Sequence, residues 1–327
     1  MTAARSLGFY PGLLLHYGGY MADIIRYSSV EHQIEKLKSQ GLIISDENYV
    51  KALLSQCGYS NLIKSYRDPY IFSTATGLKY REGITFEQVA SLYFFDRSLR
   101  NAVMSSMLDL EEHIKAVAAE VVAKNIGTDH NVYLNKRNYR NKRVRNSHFT
   151  LDAILERLKN ATQSGSDPIH HCMVTRNCVP PWILFNGVYF STIVNLIDQF
   201  KIPLQEQVAS SLYNASELNL NSQQLRFLMM DTLFIALEYR NLAAHGGRVY
   251  NYETSASLRT VEIFNRQVNL KGLSKLLFLL NLFEYKRPFE NLSTALNNEL
   301  TRHCNNYMED ITYLAQTLNI SITRNVK

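Results

Sequence analysis

Cysteine is scarce, with four in 327 residues and no Cys-x-x-Cys pair among them. That excludes a disulfide-rich scaffold and the common paired-thiol motifs, and it fits reduced thiols in a cytosol. Long apolar runs are missing too. A membrane span needs roughly 18 consecutive apolar residues, and the richest stretch, Leu273 to Phe283, is too short and reads as a buried helix. The start of the chain carries no small-residue cleavage signature, so no signal peptide is expected. The absence of a Gly-rich phosphate loop or a paired-carboxylate metal motif disfavours nucleotide transfer. His170, His171, Cys172 and Cys178 offer four potential zinc donors in nine residues. Their spacing resembles no common zinc pattern, so the expectation is a polar loop before Pro180-Pro181, with no metal and no cofactor. The net charge of +6 permits a polyanionic partner without demanding one.

What is present is helical pattern. No Pro or Gly interrupts 86–125, and Leu99, Val103, Met107, Leu110, Ile114, Val117 and Val121 recur at three- and four-residue intervals. This predicts a long amphipathic helix, kinked near Phe95. Ser28-x-x-Glu31 reads as a capping box opening a helix to Lys38, Asp46 opens another to Gln56, and Thr85-x-x-Gln88 caps the long one. Further helices are predicted near 149–160, 187–200, 204–213, 222–244, 272–285 and 289–317. Between 66 and 83, aromatic, Thr, Gly and Pro residues replace helical periodicity and predict a loop or short hairpin. The fold class is therefore all-α. A single domain is expected over 28–327, after an extension, 1–27, in which Gly18-Gly19-Tyr20 reads as a translated ribosome-binding site and makes Met21 a candidate for the native start.

Chemistry concentrates in Arg240-Asn241-Leu242-Ala243-Ala244-His245, at the predicted end of an apolar helix. A permanent guanidinium, an amide and a titratable imidazole within six residues suit phosphodiester chemistry. Arg-x4-His alone is weak, because Arg143 and His148 share the spacing in a polar stretch. Requiring Asn directly after Arg leaves only Arg240-Asn241. A second feature is the run 136–145, where Lys136, Arg137, Arg140, Lys142, Arg143 and Arg145 surround Tyr139. Such a segment either neutralises phosphates while the aromatic stacks on a base, or is a solvated charged loop.

Several ordered landmarks lie at compatible spacing: Glu31 to Ile44 (EHQIEKLKSQGLII), Phe94-Phe95-Asp96-Arg97-Ser98-Leu99-Arg100, Val179-Pro180-Pro181-Trp182-Ile183-Leu184-Phe185-Asn186, and Arg-Asn-x-x-Ala-His-x-x-Arg-x-x-Asn from Arg240 to Asn251. With these, the chain resembles the Abi-like proteins of bacterial abortive infection, the AbiD/AbiF type, whose catalytic segment belongs to the HEPN superfamily. The resemblance covers about residues 28–255 and is less distinct after about 260. Phe95-Asp96-Arg97 reads as a helix start with locally paired charges, and Trp182 as a packing anchor; neither reads as catalytic.

The resemblance implies a HEPN-like helical bundle and a metal-independent endoribonuclease, a toxin of antiviral defence in the bacterial cytoplasm. It implies a homodimer whose two motifs meet at the interface, and RNA as substrate with a small RNA or protein as restraint. His245 would be the acid/base, Arg240 would hold the scissile phosphate, and Asn241 would orient either one. Arg248 and Asn251 would hold substrate or fix the turn, and the 136–145 run would contact RNA. Ideal helix geometry rotates Arg240 about 140° from His245, so either Gly246-Gly247 ends the helix and redirects His245, or a second subunit supplies the partner. The alternative reading is a non-catalytic RNA-binding or protein-interaction module that retains the fold.

Overall fold

A computed structural model describes residues 27–75, 77–256, 258–259 and 270–322, which places the Met21 question outside the described residues. Helices α1 (Val30–Ser39) and α2 (Glu47–Cys57) lead through a π-helical turn, Ser60–Lys64, to an antiparallel hairpin. Its strands, β1 (Ile71–Thr74) and β2 (Gly77–Tyr80), pair Ile71 with Tyr80 and Thr74 with Gly77. The hairpin lies where Gly and Thr break the helical period.

Next come α3 (Phe86–Asn125), α4 (His130–Tyr133), α5 (Leu151–Thr162), α6 (Ile169–Arg176), α7 (Pro181–Leu184), α8 (Phe190–Gln199), α9 (Ile202–Leu212), α10 (Ala215–Leu218) and α11 (Ser222–Ala244). The chain ends in α12 (Gly272–Leu282), α13 (Arg287–Asn306) and α14 (Ile311–Leu318). Apart from the hairpin and isolated bridges, the described residues hold no strand, and the protein is all-α.

Local signals explain most boundaries. Thr85 caps α3 by accepting from Gln88 N, and Asp46 caps α2 through Tyr49 N. The first cap is shifted: Ser29, not Ser28, accepts from His32 N. The forty residues of α3 form one continuous helix, unbroken at Phe95, and its seven predicted apolar positions are all buried. At 1.5 Å per residue it spans about 60 Å and forms the spine of the bundle, with α7, α8, α9, α11 and α13 packed along it. The predicted helix at 289–317 is broken by Tyr307–Asp310, where a 3-10 turn separates α13 from α14.

That break places Asp310 in the interior. Its carboxylate accepts from Tyr70 Oη at 2.7 Å and Gln88 Nε2 at 3.1 Å, and pairs with His303 Nε2 at 2.9 Å. Ser91 Oγ completes the chain at 2.9 Å from His303 Nδ1. The turn before the hairpin, α3 and the C-terminal helices thus share one polar network inside the apolar core.

Two landmark readings change. Asp96 lies well inside α3 rather than at a helix start, and it is fully buried. Trp182 is 49% exposed and does not anchor the core, because the helix that Pro181 starts turns its Leu184 inward instead.

Asp96 is saturated. One carboxylate oxygen accepts from Val249 N and Tyr250 N, both at 2.8 Å, and the other from Tyr66 Oη at 2.6 Å. Burial pushes its pKa up, against the pull of these bonds and of the Arg100 charge. Asp96→Ala would leave three donors without a partner, and is expected to cost about 3 kcal/mol in urea unfolding. A loss below about 1 kcal/mol would show that these bonds contribute little.

Candidate active site

The block from Arg240 to His245 closes α11. Its last turn ends because Gly246 takes a left-handed conformation, φ 73°, which a glycine adopts without the Cβ penalty. Gly247 N then donates back to Leu242 O at 2.9 Å, and Gly246 N to Ala243 O at 3.2 Å. His245 is the capping residue, with φ −94° and ψ 11°, and its side chain is exposed. Asn241 is exposed one helical turn earlier, and its carbonyl accepts from His245 N at 3.1 Å. Gly246 therefore ends the helix, but this does not bring His245 into contact with Arg240.

Arg240 is half-buried, and its Nε is sealed from solvent without an acceptor. Among the described residues no hydrogen bond, ion pair or ring contact joins it to His245 or to a carboxylate. A buried guanidinium N–H left unpaired costs stability unless something else uses it.

Arg100 reaches the turn from α3, donating from Nη1 to Gly246 O at 2.5 Å. Asp96 and Arg100, four residues apart on one helix face, thus hold the turn on both sides of Gly247 and Arg248. Arg248 is committed to the fold. It donates to Ser65 O at 2.5 Å and lies 4.0 Å from the Asp68 carboxylate, which ties the turn to the segment before the hairpin. Asn251 is exposed.

The next residues return along α11. Glu238 accepts from Tyr252 Oη, Thr254 Oγ1, Ser255 N and Ser255 Oγ at 2.6–3.0 Å. Asp231 takes the Arg259 guanidinium and its backbone N–H.

The 136–145 run divides differently from its composition. Tyr139 is buried at 5% exposure, with its hydroxyl on Tyr133 O and its ring against Phe200, so it has no face to offer a base. Lys136 pairs with Asp152, Arg140 donates to Asp198 O, and Lys142 pairs with the Asp198 carboxylate. Arg137, Arg143 and Arg145 remain exposed.

This run also lies away from the motif. Asp198 O accepts from Gln205, and Gln205 accepts from Arg226 at the start of α11. Arg226 and His245 are separated by about 28 Å of helix. Within one chain the two features do not form one surface.

The zinc-donor group also separates. His170 and His171 are exposed on α6, which replaces the expected loop, while Cys178 instead lies with Asp129 and His130, their donor atoms within 4.8 Å of one another. Those atoms are already engaged: His130 Nδ1 accepts from Val179 N, and Cys178 Sγ contacts Thr128 O.

The family model for Abi-like proteins matches residues 52–251, from α2 through the whole turn to Asn251. The chain belongs to the Abi-like protein family. No curated protein and no solved structure matches it. The match takes in both halves of the junction that this Abi-like chain builds, Asp96 and Arg100 on α3 and the turn after α11. No helix among the described residues is long and apolar enough to cross a membrane.

Sequence reasoning missed Asp96 and Arg100 as partners of the turn. In the sequence Asp96 reads only as a local charge partner within Phe95-Asp96-Arg97, and Arg100 only as the last residue of that landmark.

Burial pushes the Glu238 carboxyl up, but its four hydrogen bonds outweigh this and hold its pKa below the usual value. A depressed folded pKa contributes stability above the unfolded carboxylate pKa, lost as pH falls through the folded one. Acid titration of unfolding is therefore expected to show wild type losing stability below about pH 4.5 more steeply than Glu238→Gln. Identical slopes would remove Glu238 from the acid response.

Proposed function

We propose that this Abi-like protein is a metal-independent HEPN-type endoribonuclease acting in bacterial abortive infection, where its toxicity stops infected cells. The observation that carries the reading is that the last turn of α11 and its cap present an exposed imidazole, His245, and a half-buried guanidinium, Arg240, that no carboxylate engages among the described residues. Arg240 donates to the scissile phosphate and stabilises the charge that gathers on its oxygens. His245 takes the proton of the ribose 2′-hydroxyl or gives one to the departing 5′-oxygen. Asn241, one turn before His245, orients the imidazole or the phosphate.

Attack by the 2′-oxygen forms a new P–O bond as the P–O5′ bond breaks, leaving a 2′,3′-cyclic phosphate and a 5′-hydroxyl. Because Arg240 and His245 do not touch within one chain, the reading favours a homodimer in which each motif completes the other. Such a nuclease needs restraint, and a small RNA or protein partner would supply it.

Cleavage of end-labelled RNA in EDTA tests this. Wild type is expected to leave cyclic-phosphate ends. His245→Ala and Arg240→Ala are each expected to slow single-turnover cleavage by about 10²-fold or more. Ends bearing 3′-hydroxyl, or cleavage that vanishes with chelator and returns with magnesium, would overturn it. RNA bound but uncut by wild type and both variants would favour the non-catalytic binding module.

A further inference from the structure

If the protein acts on RNA, the strand must approach the His245 turn over some surface, and the 136–145 run lies at the wrong end of α11. The surface beside the turn is α3. Arg97 and Arg100 are three residues apart on one helix face, Arg97 exposed and Arg100 half-exposed. Neither has a carboxylate within 4.0 Å among the described residues. Only Nη1 of Arg100 is engaged, on Gly246 O beside His245. The nearest acid on this helix, Asp96, is buried and bonded to three donors; it feels the Arg100 charge from the interior, whereas Arg97 has no carboxylate beside it among the described residues.

Beside these cations lies an aromatic. Tyr93, one helical turn before Arg97, is part-exposed and meets Tyr66 and Phe94 in T-shaped contacts, at 5.5 and 5.1 Å between centroids. Burial and the neighbouring Cys57 push its hydroxyl up, and the Arg97 and Arg100 charges pull against that, so both act on this hydroxyl. The same Arg100 charge reaches Tyr66 together with that of Arg248 from the turn. An unpaired guanidinium, a second one engaged through only one nitrogen, and a neighbouring part-exposed ring suit single-stranded nucleic acid: the cations neutralise successive phosphates, and the open part of the ring takes a base.

We propose that the α3 face formed by Tyr93, Arg97 and Arg100 is the track along which single-stranded RNA reaches the Arg240–His245 turn, a proposal that rests on the ribonuclease reading for its choice of ligand. Arg100 is the junction, holding the turn with one N–H and leaving the rest of its fork for a phosphate. A base stacks on Tyr93 while its neighbouring phosphates lie over Arg97 and Arg100.

The test is fluorescence anisotropy of the full chain with a labelled 2′-O-methyl oligonucleotide, which lacks the nucleophilic hydroxyl and so reports binding whether or not the protein cuts. Each lost phosphate contact lowers the slope of log K against log salt by about 0.7 for a single strand. Arg97→Gln touches no part of the turn, so its effect is free of any change there; it is expected to lower the slope by about one such step. Arg97→Gln with Arg100→Gln should lower it by about two steps and weaken binding about tenfold or more. Tyr93→Leu should weaken binding about fivefold or more and leave the slope unchanged. Arg143→Gln with Arg145→Gln should change the slope by less than half of what the α3 pair does.

The proposal is overturned if the α3 variants bind like wild type while melting normally, if the Arg143 and Arg145 pair carries the loss, or if wild type does not bind the oligonucleotide. A ribonuclease reading that fails on product ends, with the α3 variants still losing affinity, would leave the track standing as a binding surface.

Discussion

Two backbone amides, Val249 and Tyr250, converge on one oxygen of the buried Asp96 carboxylate, and the geometry of the candidate site follows from that junction. A helix that ends on glycines would normally release a solvated loop. Here the chain after α11 is captured within five residues of His245 by the middle of another helix. Arg100 takes the carbonyl of Gly246 on the near side, Arg248 reaches back to Ser65, and Glu238 gathers 252–255 against α11. His245 is exposed, but the backbone that carries it is fixed on three sides.

The junction also links regions that the sequence separates. Asp96 receives Tyr66 from before the hairpin, Tyr66 stacks on Tyr250, and Tyr250 reaches Tyr313 on α14. Asp310 and His303 bring the C-terminal helices onto the same stretch of α3. Residues beyond the family match therefore contribute to the core around the turn rather than hanging from it.

The helices are legible in sequence where local physics decides them. The forty residues without Pro or Gly become α3, the 222–244 periodicity becomes α11, and Gly246 ends it. The hairpin appears where periodicity fails. What local pattern does not carry is tertiary partnership. Asp96 and Val249 are 153 residues apart, and nothing near either one marks the other. Tyr139 counts as an aromatic among cations, yet its ring is needed against Phe200 and its hydroxyl by Tyr133 O. Trp182 fails in the opposite sense, since its size suggests an anchor and its helix turns it half outward. The candidate catalytic trio is legible as a motif, whereas the α3 residues that frame it become visible only once the two helices are side by side.

Amide hydrogen exchange at Val249 and Tyr250 in the wild-type protein tests this account most directly. If the bonds to Asp96 hold the turn to the core, both amides exchange only through near-global opening, with protection approaching that of the most protected amides of α3 and far above that of the neighbouring Asn251. Rapid exchange at 249 and 250, at rates like those of an exposed loop, would show that the turn is not pinned and would contradict the structural basis assigned to the site.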